Sequence, residues 1–271
     1  MQHKKRSFNE QIQPQIGKLP NFLVAQKQTT IKNIINFRGI GLHTGNAVSM
    51  VLSPAPANTG IVFRVLQNNK AFKIKAHFEN VKSTQLCTLL SDSNGNSIST
   101  VEHILSACYG LELDNIYIDL DSNEVPVYDG SASEFVDMLV KSGIQEQSEY
   151  KQFIKIKKTV VVSDGEKFAR VSPFDQTLIS CEIKYDHQMI GKQSISLLLT
   201  PDIYKSQIST ARTFGFLKDV KKLRAMNLAL GGSLDNAIVL DDNKVLNKDG
   251  LRFSDEFVRH KVLDFIGDIS L

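Results

Sequence analysis

From Thr29 onward the chain alternates short β-rich runs with Gly, Pro and Asn: IINFRGIGLHTG, AVSMVLSPAPANTG and IVFRVL each read as strands meeting tight turns. LCTLLSDSNGN follows as a hairpin. The pattern then changes period. Ser99 or Thr100 is placed to cap a helix through EHILSACYG that stops at Gly110, and the spacing from Ser99 to Glu102 is that of a capping box. NIYIDL is the next strand, PVYDGSA a turn, and SEFVDMLVKSG a second helix in which Phe135, Met138 and Leu139 share an apolar face and Gly143 ends the run.

Residues 145–152, QEQSEYKQ, are polar and patternless, and FIKIKKTVVV beyond them opens a new set of strands. A domain boundary drawn there gives a first α+β domain at 29–148 and a second at 149–271. Residues 1–28 are rich in Gln, Lys and Asn and read as a disordered tail, with organellar targeting as the other reading. The second half repeats the grammar of the first, with strands expected at 153–163, 167–172 and 178–185, a helix near 214–226, the strand AIVLD and a closing helix from Asp255. VEHIL and VRHKVL each put a histidine third in an apolar helix, a hint that the halves are structural duplicates.

A chain of 271 residues with 42% hydrophobic content can bury a real core, and its net charge of +3 is too weak to point to nucleic acid. Cys87, Cys108 and Cys181 are odd in number and lack paired spacing, which reads as reduced thiols in a reducing, cytoplasmic compartment. No apolar run approaches the roughly 20 residues of a membrane span, and the N-terminus lacks the features of a secretory signal. The expectation is a protein that neither spans a membrane nor is exported.

Two clusters carry candidate chemistry. On a helix His260 and Asp264 are i and i+4, so they share a face and can grip one ion, with Asp268 further along the same stripe. An ordinary surface pair accounts for the same spacing. Glu102 and His103 are neighbours whose side chains point about 100° apart on a helix, so both cannot easily be ligands of one ion. Helix capping beside a partly buried histidine is one account of them. Division of labour is the other: His103 on a metal, and Glu102 reaching a water beside it. Two histidines and one carboxylate would leave one tetrahedral position open, as in catalytic zinc sites.

The residues resemble a known family, the bacterial UDP-3-O-acyl-N-acetylglucosamine deacetylases. The resemblance runs from about Thr30 to Leu271, carried by RGIGLHTG (38–45), LSPAPANTGIVFR (52–64), STQLCT (83–88), ISTVEH (98–103), LDNIYI (113–118), VPVYDGSA (125–132), ISTARTFGF (208–216), LGGSLDNAIVLDD (230–242) and VLNKDGLRFSDEFVRHKVLDFIGD (245–268). It implies an α+β fold, a two-layer sandwich of two topologically similar domains with the site between them. It also implies hydrolysis of the N-acetyl group of an acylated UDP-glucosamine, in lipid A synthesis. Residue by residue it implies His103, His260 and Asp264 as ligands of Zn2+ and Glu102 as general base. Thr213 would support the developing oxyanion, Lys261 would face the UDP phosphates, and Phe214 and Gly232 would lie against substrate. Read without the family, Thr213 is a turn hydroxyl, Lys261 solvated and Phe214 core. Cys87 and His43 match positions near the metal, where a structural thiol and a scaffolding turn histidine are the ordinary readings.

FGFLKDVKKLRAMNLALGG sets Phe216, Leu217, Val220 and Leu223 against Lys218, Lys221, Lys222 and Arg224. In the family this is an element that makes an apolar passage for the acyl chain, and transient contact with a membrane surface fits it too. A monomer is expected. Family chains continue past the last helix into a segment whose histidine is the general acid, and Asp268 matches the carboxylate that orients it. With nothing after Leu271, the expectation is a second domain incomplete at its C-terminus. Loss of a general acid typically slows a reaction by about 10² to 10⁴. The alternative that follows is a truncated, catalytically inactive remnant that still binds zinc or UDP-sugar.

Overall fold

The structure, a computed structural model, describes residues 26–67 and 69–271. The tail reading for residues 1–25 falls outside them, whereas Lys27 and Gln28, which it included, lie in the first strand. The first half holds β1 (Lys27–Ile31), β2 (Ile35–Ile40), β3 (Ala47–Pro54), β4 (Ile61–Gln67), β5 (Lys70–Lys75), β6 (Val81–Ser83), β7 (Leu89–Ser91), β8 (Ser97–Ile98), α1 (Glu102–Gly110), β9 (Ile116–Leu120) and α2 (Ser133–Ser142). After β10 (Ile144–Tyr150) come the hairpins β11 (Val160–Asp164) with β12 (Lys167–Val171) and β13 (Leu178–Lys184) with β14 (Lys192–Leu198). The remainder is α3 (Pro201–Ile203), a π-helical turn at Tyr204–Ile208, β15 (Phe214–Phe216), α4 (Leu217–Ala225), β16 (Ile238–Leu240) and α5 (Glu256–Ile269). The class is α+β, as expected.

The scaffold of the first half is a five-stranded sheet in the order β2-β3-β9-β4-β5, antiparallel except for the β4–β9 pair. Alternation decides which face is buried: Val48, Met50 and Leu52 of β3 and Ile116, Ile118 and Leu120 of β9 all enter the core. The same core takes Ile104, Leu105 and Cys108 from α1 and Phe135 and Leu139 from α2. It also takes Val262, Leu263 and Ile266 from α5. α1 buries every residue except Tyr109, because the sheet lies on one side of it and α5 on the other.

α1 and α5 approach closely because Gly267 has no side chain. A Cβ there would sit 2.1 Å from the Glu102 carbonyl oxygen. Gly267→Ala is therefore expected to push the helices apart and destabilise the fold by about 1–3 kcal/mol. In a thermal melt, that is a drop of roughly 3–10 °C.

Several expectations need correction. Ser99 does not close a capping box: its N–H donates to Asn123 O, its carbonyl accepts from Val125 N, and Val101 is the cap residue without a side-chain bond. Glu102 instead accepts from the Thr88 N–H. The patternless segment is strand β10, paired antiparallel with β1. Its residues are mostly exposed, so the ladder to β1 and an amide network of Gln28, Asn115 and Gln147 hold it rather than apolar packing. FIKIKK is not a strand. Phe153 and Ile154 are exposed, and pairing begins only at Val160. Residues 214–216 form β15, parallel to β16, and helix α4 starts after them. Among the described residues no helix is long and apolar enough to cross a membrane.

Candidate metal centre

α1 delivers Glu102 and His103, and α5 delivers His260 and Asp264, to one point between the two helices. His103 Nε2 lies 3.4 Å and His260 Nε2 3.3 Å from Asp264 Oδ1, and the three atoms lie within 4.8 Å of one another. The imidazoles stand edge to face, with centroids 5.0 Å apart and planes at 88°. A tetrahedron with metal–ligand bonds of about 2.0–2.1 Å has edges of about 3.3–3.4 Å, so the two nitrogen–oxygen separations leave room for a tetrahedral metal ion between them.

The protonation of His260 fits the same reading. His260 Nδ1 lies 3.0 Å from the Ala211 carbonyl, which can only accept, so Nδ1 carries the hydrogen and Nε2 presents its lone pair. Burial lowers His260 to about 4, which keeps the ring neutral. Burial works against the Asp264 carboxylate, but His260, Lys261 and His103 outweigh it and hold it well below the usual range. Its Oδ2 accepts from Lys261 Nζ at 3.0 Å, while buried Oδ1 has no hydrogen-bond partner among the described residues. An anionic oxygen aimed at two histidine nitrogens, with no donor of its own, is what a cation would satisfy.

Glu102 stands beside this group. Burial raises its carboxyl to about 7, His103 and the Thr88 N–H pulling the other way. That value suits a group that must take and return a proton near neutral pH.

A family model described as UDP-3-O-acyl N-acetylglycosamine deacetylase matches residues 28–271. The chain belongs to that family. Among curated proteins named UDP-3-O-acyl-N-acetylglucosamine deacetylase, that of Pseudoalteromonas atlantica is 50% identical over 247 residues, covering 90% of this chain and 81% of the relative. That of Haemophilus influenzae is 49% identical, covering 90% of this chain and 80% of the relative. That of Oleidesulfovibrio alaskensis is also 49% identical, with the same coverage.

The remaining family-matched positions surround the group to different degrees. Phe214 packs 5.0 Å from Phe257 and 6.5 Å from His260, centroid to centroid, and Lys261 Nζ lies 5.4 Å from its ring. Thr213 is fixed by its backbone, donating to Gly130 O at 2.7 Å and accepting from Ile238 N. It follows Ala211, the histidine's partner, by two positions. Asp268 accepts from the Thr88 hydroxyl at 2.7 Å, so Thr88 touches both Asp268 and Glu102. Burial raises the Asp268 carboxyl, with Thr88 offsetting part of it. Burial lifts the Cys87 thiol to about 11, with Glu102 adding to the effect. Gly232 sits instead where the 229–232 loop packs on the 41–45 turn, its N–H donating to Ala229 O.

Sequence reasoning missed the acids that build this surround. Glu124 is fully buried and accepts from His43 N, Thr44 N and Oγ1, and Thr100 Oγ1, at 2.7, 2.9, 2.6 and 3.3 Å. It thus ties the His43 turn to the residues leading into α1. Glu256, equally buried, holds Arg212. Both lie in or beside family-matched strings, which is the one signal that could have found them. Glu124→Ala strands several buried donors and is expected to lower unfolding stability by about 2–4 kcal/mol in a urea titration.

Proposed function

We propose that this chain is a zinc-dependent deacetylase that hydrolyses the N-acetyl group of UDP-3-O-acyl-N-acetylglucosamine, the committed step of lipid A synthesis, in the cytoplasm. The observation that carries this reading is the convergence of His103, His260 and Asp264 beside a buried Glu102 in a member of the deacetylase family. Identity of about half to proteins named for that activity favours turnover over an inert, binding-only remnant.

His103, His260 and Asp264 would hold the zinc, which when bound polarises the amide carbonyl and lowers the pKa of water. Glu102 takes the proton from the attacking water, and its burial keeps that proton available for return. Water oxygen adds to the acetyl carbon, the C–N bond breaks, and acetate and the 2-amino sugar leave. The Thr213 hydroxyl donates to the oxygen on which charge develops. Lys261, anchored by Asp264, keeps its ammonium protonated and meets a phosphate of the UDP. Phe214 and Gly232 contact the sugar nucleotide, and Asp268, held by Thr88, takes the part of the carboxylate that in the family orients the general-acid histidine. α4, with Lys218, Lys221, Lys222 and Arg224 around an apolar stripe, receives the acyl chain and makes at most transient contact with a membrane surface.

The test is acetate release from the acylated UDP-sugar with the zinc-loaded protein in excess, so that a slow turnover is still counted. Stoichiometric release that is lost on chelation and restored by zinc is expected. No release by the loaded protein would contradict the reading.

A further inference from the structure

Ala211 is a small residue in a loop, yet its carbonyl sets which nitrogen of His260 carries the hydrogen. Its neighbours on both sides are clamped. Thr210 O accepts from Arg252 Nη1 at 2.8 Å, and Arg212 N donates to Glu256 Oε1 at 3.0 Å. Arg212 also grips the same carboxylate with its fork, Nε to Oε1 at 2.9 Å and Nη2 to Oε2 at 3.1 Å, while Arg252 N donates to Oε2 at 2.6 Å. Glu256 is fully buried and Arg212 only 8% exposed, so solvent cannot replace these bonds. Glu256 lies in the first turn of α5, one turn before His260 on the same helix.

We infer that Glu256 is a positioning residue for the metal centre: through Arg212 it fixes the Ala211 carbonyl, and that carbonyl fixes the tautomer and rotation of His260. The inference rests on the zinc reading above. Glu256 touches neither metal nor substrate; it holds the 210–213 loop, which also carries Thr213, in register with the helix that carries His260 and Asp264. Outer partners of metal-bound histidines commonly set ligand basicity, and their loss weakens metal binding about 10–100-fold.

The test is Glu256→Gln, which keeps the volume but turns an N–H₂ toward the guanidinium of Arg212 or the N–H of Arg252. Two readouts separate positioning from mere support. The first is zinc affinity by competition with a chromophoric chelator, expected to weaken about 10–100-fold, with kcat lowered and KM for the acylated sugar changed less. The second is the imidazole nitrogen spectrum of His260 in zinc-free protein, expected to lose its single Nδ1–H form. Wild-type zinc affinity together with a wild-type His260 spectrum in a variant that is only less stable would overturn the inference. Should Glu256→Gln fail to fold, Arg212→Lys, which keeps the charge and loses the fork, takes the same two measurements. An unchanged result there likewise overturns it. If the wild-type protein takes up no zinc, the zinc reading fails, while the spectrum of the zinc-free protein still decides the role of Glu256.

Discussion

Glu102→Gln is expected to leave zinc bound at the wild-type level while slowing acetate release by about 10² to 10⁴. The amide keeps the volume of the side chain and can still accept from the Thr88 N–H, so the local structure has no reason to change. What is lost is the capacity to take a proton. The wild-type rate should also fall with falling pH, since a base must be deprotonated to act. Burial places the Glu102 carboxyl at about 7 in the metal-free chain, and a cation beside it moves that limb to lower pH. In the Gln variant the limb should vanish. Loss of zinc in Glu102→Gln would instead make Glu102 a ligand, and an unchanged rate would remove it from the chemistry.

His260→Ala is expected to weaken zinc binding by more than the roughly 100-fold that loss of an outer partner costs, and to abolish acetate release. One of the three atoms that converge around Asp264 Oδ1 disappears, leaving a single histidine nitrogen and the carboxylate to hold the ion. The Ala211 carbonyl also loses its side-chain donor, so the zinc-free variant should itself be less stable, by about 1–3 kcal/mol in a denaturant titration. Zinc affinity by chelator competition and stability by urea unfolding check the two halves separately. Wild-type zinc affinity would exclude His260 as a ligand.

Elements whose sequence carried its own physics were readable in advance. α2 announces itself by apolar spacing and its Gly143 stop, α1 ends at Gly110 as read although the cap that marked its start does not form, and α5 starts after Asp255 as expected. The first-half strands alternate because one sheet face packs on helices. β10 was hidden because it is polar on both faces and is held by backbone pairing and amides. FIKIKK misled for the opposite reason: its alternation meets no partner strand among the described residues, and pairing starts at Val160. The capping box failed because Ser99 pairs with residues 123–125 and Glu102 turns toward Thr88.

For the site, i and i+4 spacing on one helix made the shared face of His260 and Asp264 legible, and adjacency placed Glu102 beside His103 at the start of another helix. Nothing local says that α1 meets α5. That depends on Gly267, an ordinary glycine in sequence and a close helix contact in the fold. Glu124 and Glu256 were invisible for a related reason. A carboxylate that organises buried loops looks in sequence like any surface acid until the donors around it are assembled.

X-ray absorption at the zinc edge of the loaded protein tests the central claim most directly. The predicted first shell is nitrogen and oxygen alone at about 2.0–2.1 Å, with the outer-shell pattern of two imidazoles from His103 and His260. A sulfur scatterer at about 2.3 Å, which would bring Cys87 onto the metal, or a shell lacking imidazole, would contradict it.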